Sequence, residues 1–254
     1  MRLPKRLKQN QTADLVEHLG ELRGRLVIVL IALAAGFGIA FAFHHDLIHW
    51  LNAPLPEGRG QPVTLGVVEP FMTSVKVSLY AGFALALPVI LWQIWSFLAP
   101  AVAPRMERTL LGFVAFATGL FALGVAFSYK VALPAAVHFL TNYDSNLYDI
   151  QVRASSYYSF ALMSLLAVGL VFELPIFVLA LVRIGVLTSA KLRRNRRIGY
   201  VSMAALAVAL PGVDPISTAF EMLPLIALFE LSIWLSVAFE RRWHPAMATA
   251  ADAP

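Results

Sequence analysis

The sequence predicts an all-α membrane protein whose chain crosses the bilayer six times. Three observations lead to this prediction: 59% of the 254 residues are hydrophobic, only 14% are charged, and the mean hydropathy is +0.72. Soluble domains carry about 25% charged residues, so lipid rather than water is the expected solvent. About 20 apolar residues span the hydrocarbon core as a helix, and a chain of this length has room for six such helices with short loops.

Six apolar runs define the predicted spans. They cover residues 27–43, 77–98, 110–129, 157–182, 199–210 and 216–239. Pro88 is predicted to break the second run, and Pro175 the fourth. The last two runs flank the turn sequence PGVDP, which predicts a tight helical hairpin. At about 1.5 Å per residue, the fifth run reaches roughly 18 Å, so the bilayer should thin around it.

The distribution of basic residues predicts the orientation. Sixteen of the 20 Lys and Arg residues fall on one side of the six spans, and the exceptions are Arg59, Lys76, Lys130 and Arg153. By the positive-inside rule, both termini are cytoplasmic. This divides the chain into a cytoplasmic amphipathic segment at 1–26, a transmembrane domain at 27–239 and a cytoplasmic tail at 240–254.

Two long outer loops are predicted, at about residues 44–76 and 130–156. Aromatic side chains stand near their edges, at Trp50, Tyr129 and Tyr157. Such residues are typical of the membrane–water interface, so we predict that they anchor the spans there.

Several function classes are excluded by the composition. The net charge of +5 does not indicate nucleic-acid binding, because the chain has no soluble basic domain. The absence of cysteine excludes disulfides, thiolate metal sites and cysteine catalysis. Zinc-protease, serine-hydrolase and P-loop motifs are missing, and the six histidines lack metal-ligand spacing. We therefore predict no catalysis, no metal and no cofactor.

Two acidic residues next to predicted spans are candidates for binding a cation. Glu21 and Arg23 lie in HLGELRGRL, just before the first span, and Glu107 lies just before the third. Because a carboxylate near a low-dielectric surface binds cations strongly, the pair could meet two arginines of a visiting peptide, each bidentately. The alternatives are an intrahelical Glu21–Arg25 pair and neutralisation of Glu107 by neighbouring arginines.

Further acidic residues lie within or beside the later spans. An unpaired charge at the depth of Glu173 costs at least about 2.5 to 3.5 kcal/mol, so a functional role is the default expectation. The alternative is a neutral acid bonded to backbone freed by Pro175. Glu230 is a second acidic residue within a predicted span, nearer the cytoplasmic rim, and a functional role is considered for it on the same grounds. Asp214 is expected to cap the sixth helix, with Pro215 as its first residue.

At this point several ordered motifs indicate a family. The chain resembles the TatC family, the receptor and core subunit of the twin-arginine translocase, over nearly its whole length. The motifs are HLGELRGRL at 18–26, EPF at 69–71, LPVILWQIWSFLAPAV at 87–102, ER at 107–108, FELP at 172–175 and LPGVDPIS followed by LPLIALFE. The resemblance implies a concave bundle of six spans in the inner membrane of a prokaryote, exporting folded proteins under the proton-motive force.

The resemblance also implies roles for individual residues. It assigns signal-peptide binding to Glu21, Arg23, Phe97, Pro100 and Glu107. It places the family's intramembrane glutamate at Glu173, its outer-loop Pro-Phe pair at Pro70 and Phe71, its outer-hairpin aspartate at Asp214, and partner docking beside Glu230. The implied partners are the single-span subunits TatA and TatB, twin-arginine precursors and further copies of the chain. PGVDP departs from relatives that have two prolines directly before the aspartate.

Two other function classes compete with the resemblance. One is a proton-coupled small-molecule transporter, with Glu173 as the proton carrier and the broken fourth span as its binding site. The missing repeat symmetry argues against it. The other is an intramembrane protease using Asp214, which would need a second aspartate within a span.

Overall fold

The computed structural model describes residues 15–56, 61–102, 107–148, 150–211 and 215–243, with side chains described for 20–56, 61–97, 111–148, 150–211 and 215–240. Within these ranges every regular element is helical. The α-helices are α1 (Leu15–Ala42), α2 (His44–Asn52), α3 (Glu69–Val102), α4 (Glu107–Phe127), α5 (Leu133–Asn142), α6 (Ala154–Val171), α7 (Leu174–Arg183), α8 (Ser189–Arg194), α9 (Arg196–Ala209) and α10 (Pro215–Trp243), with a π-helical turn at Ser128–Ala132.

Five stretches of the described chain are long and apolar enough to cross a membrane. They are Gly20–Ala42, Glu69–Phe97, Leu111–Asn142, Ala154–Arg183 and Pro215–Glu240. The predicted fifth span corresponds to α9, whose 14 residues extend about 21 Å and fall short of a hydrocarbon core. The all-α, multi-span fold class is thus confirmed, with one short helix beside five long ones.

Two compact units make up the chain: Met1–Leu47 with Ser74–Thr118, and Ile48–Thr73 with Gly119–Pro254. In the first unit, α1 runs unbroken from Leu15 through the predicted amphipathic segment into the first span. It meets α3 backbone to backbone at Gly36 and Gly82, where a Cβ on Gly82 would lie 2.6 Å from the Phe37 nitrogen. Small residues allow this approach, which is a common way for membrane helices to associate.

The predicted break at Pro88 is wrong, because α3 continues through this residue for 34 residues in all. Proline removes one hydrogen bond from a helix, but the remaining bonds on both sides can hold the helix together inside a membrane. Further along α3, the buried Trp95 ring packs edge to face with Phe113 of α4, with ring centroids 4.8 Å apart.

In the second unit, the third span is longer than predicted and the outer loop after it is shorter. The chain stays helical through the π-helical turn and α5 to Asn142. Pro134 has no N–H to donate to the Lys130 carbonyl, so the turn widens at this point instead of keeping α-helical bonding. The first predicted outer loop likewise contains α2 and the start of α3.

Two other predictions about the second unit are confirmed. The fourth span breaks between α6 and α7, at Phe172 and Glu173, just before Pro175. The last two helices form a hairpin, and α10 begins at Pro215 as predicted. A buried apolar cluster joins the hairpin to α6 and includes Val168, Phe172, Ala207, Leu210, Leu225 and Leu228. The predicted capping residue Asp214 lies outside the described residues.

Candidate functional site

The guanidinium of Arg25 is the centre of the polar contacts at the start of the first span. Its Nε and Nη2 donate to Glu21 Oε1 at 3.1 and 2.6 Å. Nη1 donates to the side-chain and backbone oxygens of Gln93 at 3.3 and 3.4 Å, and Nη2 to the backbone oxygen of Ser96 at 3.2 Å. The Phe97 ring lies 6.0 Å from the guanidinium carbon, within cation–π range. These contacts form a guanidinium site between α1 and the C-terminal part of α3.

A proline explains why the Ser96 carbonyl accepts this bond. In a continuous α-helix that carbonyl would accept from the N–H four residues later, at Pro100, which has none. The freed oxygen is one that a guanidinium can bind, because every N–H of that group needs an acceptor. The backbone chemistry of Pro100 therefore helps to build the site.

The predicted site residues divide into those in this cluster and those beyond it. Glu21 and Phe97 belong to the cluster, while Arg23 is exposed on α1. Glu107 begins α4 and Pro100 lies in α3, but their side chains fall outside the described ones. The intrahelical Glu21–Arg25 pair, the alternative considered for Glu21, is present. Sequence reasoning missed Gln93 and Ser96, whose roles depend on contacts between helices.

A second carboxylate, Glu69, forms the polar centre at the start of α3. Oε1 accepts from Arg153 Nε and from the Ser155 backbone N–H, both at 3.0 Å. Oε2 accepts from Arg153 Nη2 at 3.2 Å and from the Leu65 backbone N–H at 2.9 Å. The segment before α3 also pairs with the start of α6 through backbone bonds at Val63. Glu69 thus fastens two predicted outer loops together.

Replacing Glu69 by glutamine should destabilise the chain by about 2 kcal/mol. Each carboxylate oxygen faces two donors, so either orientation of the amide turns an NH₂ group toward two N–H groups. Thermal unfolding in detergent measures the effect, with Asp46→Asn, an exposed acid on α2, as the control. Equal midpoints for the two variants would contradict this role of Glu69.

The neighbours of Glu69 include the predicted outer-loop pair. Pro70 and Phe71 occupy the first turn of α3, and both are exposed. Both residues therefore lie at the protein surface, directly after Glu69, which holds this part of the chain. Their predicted roles stay predictions.

Tyrosine hydroxyls hold the C-terminal end of α2. Tyr129 stacks on Trp50 with ring centroids 3.8 Å apart and donates to the Trp50 carbonyl at 2.8 Å. Tyr157 donates to the Leu51 carbonyl and is buried. The last carbonyls of a helix lack a partner four residues later, so these hydroxyls donate to them, and the Trp50 carbonyl also accepts from the Ala53 N–H. Burial in the protein does not locate Tyr157 along the membrane normal, so its interfacial position stays a prediction.

Glu173 lies at the break between α6 and α7 and is only 1% exposed. Neither carboxyl oxygen has a hydrogen-bond partner within the described part of the chain. The predicted alternative, a bond to backbone freed by Pro175, is therefore wrong. A buried polar group without a hydrogen-bond partner lowers the stability of the fold. The presence of Glu173 therefore favours a functional role over a stabilising one.

Glu173→Met should raise the free energy of unfolding of the chain in detergent by about 1 to 2 kcal/mol. The substitution removes a buried carboxyl without a hydrogen-bond partner and introduces an apolar side chain of similar length. The matched control is Glu230→Met, which removes a carboxylate with partners and should lower stability. If both variants shift the unfolding midpoint downward, the burial of Glu173 is not destabilising.

Polar side chains also join the elements that end the chain. Glu230 on α10 accepts from the Tyr200 hydroxyl and, at 3.0 Å, from Arg196 Nη2, both on α9. Glu240, also on α10 and buried, accepts from the Ser189 backbone N–H of α8 at 2.8 Å. The sequence indicates Glu230 as a candidate residue. It does not indicate Glu240, because a glutamate next to other charged residues is typical of an exposed segment.

Metal-binding geometry is not found in the described ranges, where no three His, Asp or Glu side chains are grouped as ligands. The five spans and the buried polar contacts between helices define a multi-pass α-helical membrane protein. Residues 17–224 match the family model described as Sec-independent protein translocase protein (TatC). The chain belongs to the TatC family.

Individual relatives agree with this assignment. The TatC protein of Deinococcus radiodurans is 36% identical over 90% of this chain and 87% of its own length. TatCd of Bacillus subtilis is 31% identical over 93% of this chain and 97% of its own, and the chloroplastic TATC of Arabidopsis thaliana is 34% identical over 90% and 68%. A crystal structure titled twin arginine translocase receptor TatC, in DDM, superposes with a TM-score of 0.76 at 34% identity, covering 86% of this chain and 99% of that one.

Membership gives the chain a general role as a membrane component of the Tat protein translocase, a non-enzymatic family. The prediction that it is not an enzyme is confirmed by this assignment. It also removes the support for the small-molecule transporter and the intramembrane protease.

Proposed function

We propose that the chain is the receptor of the twin-arginine translocase, binding twin-arginine signal peptides of folded cargo at the cytoplasmic face. The observation that carries this proposal is the guanidinium site itself. Glu21, Gln93 and Ser96 place their oxygens around one arginine side chain, beside Phe97. A signal peptide that carries two arginines presents the same group.

Glu21 binds one arginine of the signal in this proposal and Glu107 the other. Guanidinium is planar and can give two parallel hydrogen bonds to a carboxylate, whereas the lysine ammonium is a compact point charge. Exchange of arginine for lysine in the signal should therefore weaken binding. Arg23, exposed on α1, and the Pro100 backbone complete the recognition region. The apolar part of the signal then enters the membrane near Glu173.

We infer the orientation required by this role from the basic residues. The end of α7, all of α8 and the start of α9 carry six of them: Arg183, Lys191, Arg193, Arg194, Arg196 and Arg197. Together with the basic N-terminal region, they support cytoplasmic termini and a site for Glu21 on the cytoplasmic side. We place the chain in the inner membrane of a prokaryote on the same grounds.

Docking of the single-span subunits TatA and TatB is proposed on the α9–α10 hairpin. Large apolar side chains are exposed along both helices: Ile198, Val201, Val208, Leu223 and Trp234. A hairpin that pairs the short α9 with the longer α10 offers an exposed apolar surface on which another apolar helix can pack, and the Glu230 contacts fix the two helices against each other. Cargo binding recruits these subunits, further copies of the chain join the assembly, and the proton-motive force drives export.

Site-specific photocrosslinking tests the receptor role. Photoreactive residues at positions 21 and 107, in native membranes, are exposed to a radiolabelled twin-arginine precursor and to its twin-lysine variant. We expect crosslinks from both positions to the first precursor and strongly reduced crosslinks to the second. A photoreactive residue at position 46, on the predicted outer side, serves as the control. Equal crosslinking to the two precursors, or none from either position in a folded protein, would refute the proposal.

A further inference from the structure

The burial of Arg25 is unusual for an arginine at the start of a span. Its side chain is 12% exposed, although a long basic side chain at this position could extend into water. Five hydrogen bonds to three residues satisfy it, and two of these bonds go to Glu21. Arg23, two residues earlier on the same helix, is exposed. The chain therefore encloses one of two neighbouring arginines and not the other.

The groups around Arg25 have the properties required to bind an arginine from another chain. They comprise a carboxylate, an amide oxygen, a carbonyl freed by Pro100 and an aromatic ring. The atoms that Arg25 contacts are carboxylate, amide and backbone oxygens, which are all acceptors and match a group that has five N–H donors and no acceptor. Both bonds from Arg25 end on Glu21 Oε1, so a second guanidinium that bonds this oxygen must displace them.

We propose that Arg25 is an internal competitor, occupying the guanidinium site of the empty receptor until an arginine of the signal peptide displaces it. This inference rests on the proposed receptor function. Displacement by a like group exchanges one set of bonds for another, so no buried acceptor remains without a donor during binding. While Arg25 occupies the site, cations that bind only weakly are excluded from it.

Competition of this kind has a defined thermodynamic consequence. The apparent Kd of a ligand equals its intrinsic Kd divided by the fraction of receptor with an open site. Removing Arg25 therefore tightens the binding of every ligand of the site by the same factor. The ratio between the affinities for twin-arginine and twin-lysine peptides should stay unchanged, because Glu21, Gln93 and Ser96 still set it.

The experiment measures peptide binding to the full chain purified in detergent. Fluorescently labelled twin-arginine and twin-lysine signal peptides are titrated by anisotropy against the parent chain, Arg25→Gln and Arg25→Lys. Arg197→Gln, which removes an exposed arginine of α9, controls for the loss of one positive charge. We expect Arg25→Gln to lower the Kd of both peptides about three- to tenfold, Arg25→Lys to lower it less, and Arg197→Gln to leave it unchanged.

The alternative outcome is that Arg25 positions Glu21 for binding. Arg25→Gln would then raise the Kd of the twin-arginine peptide, and the competitor role would be refuted, as it would by an unchanged Kd. If Arg25→Gln does not yield folded protein, the Kd measured for Arg25→Lys decides between the two roles. A lower Kd than in the parent supports the competitor role, and a higher or unchanged Kd refutes it. Failure of the receptor function is distinguished by Glu21→Gln: if that variant binds both peptides as the parent does, the site does not recognise signal peptides at all.

Discussion

Glu21→Gln is expected to weaken the binding of a twin-arginine signal peptide about a hundredfold. The substitution removes the negative charge and replaces one acceptor oxygen with an NH₂ donor, at a place where guanidinium nitrogens lie 2.6 to 3.1 Å from Glu21 Oε1. Titration of a labelled peptide against the purified chain measures the change. Glu107→Gln should weaken binding in the same direction, and the double variant should bind more weakly than either single variant.

The control for this prediction is Asp46→Asn, which removes a negative charge from an exposed residue of α2 and should leave the Kd unchanged. Detergent extraction and thermal unfolding establish that each variant is folded. A Kd for Glu21→Gln within a factor of two of the parent value would contradict the assignment of Glu21. A comparable loss in Asp46→Asn would indicate that net charge, rather than this site, attracts the peptide.

Gly82→Ala should destabilise the chain by about 3 kcal/mol, a large effect for a single methyl group. The added Cβ would lie 2.6 Å from the nitrogen of Phe37, 2.7 Å from its Cα and 2.8 Å from the carbonyl carbon of Gly36. All three are backbone atoms, so no side-chain rotation relieves the overlap and α1 must move away from α3. Thermal unfolding and the yield of folded protein after extraction measure the loss.

Gly38→Ala provides the matched control for the helix contact. Gly38 lies on α1 near the same contact, but a Cβ there would have no neighbouring atom within 4 Å. The substitution should leave stability unchanged or raise it slightly, since alanine is the better helix former. If the two variants unfold at the same temperature, the close approach of α1 and α3 at Gly82 does not contribute as inferred.

Much of the fold was predictable because lipid imposes a simple rule on the chain. Each span must be helical to satisfy its own backbone, and its length must match the hydrocarbon core, so apolar runs such as 27–43 and 157–182 are visible without a structure. The break beside Pro175 and the start of α10 at Pro215 were predictable from local proline chemistry. The same rule failed at Pro88, where α3 continues.

The sequence by itself determined the helical, multi-span class of this TatC chain and the residues worth testing, Glu21, Glu107 and Glu173 among them. Only the tertiary structure decided which groups these side chains meet. Arg25 binds oxygens of residues 68 and 71 positions away, and Arg153 binds Glu69 across 84 positions, while Glu173 has no partner within the described residues. Such contacts depend on the relative height and rotation of packed helices, and local periodicity does not encode either quantity.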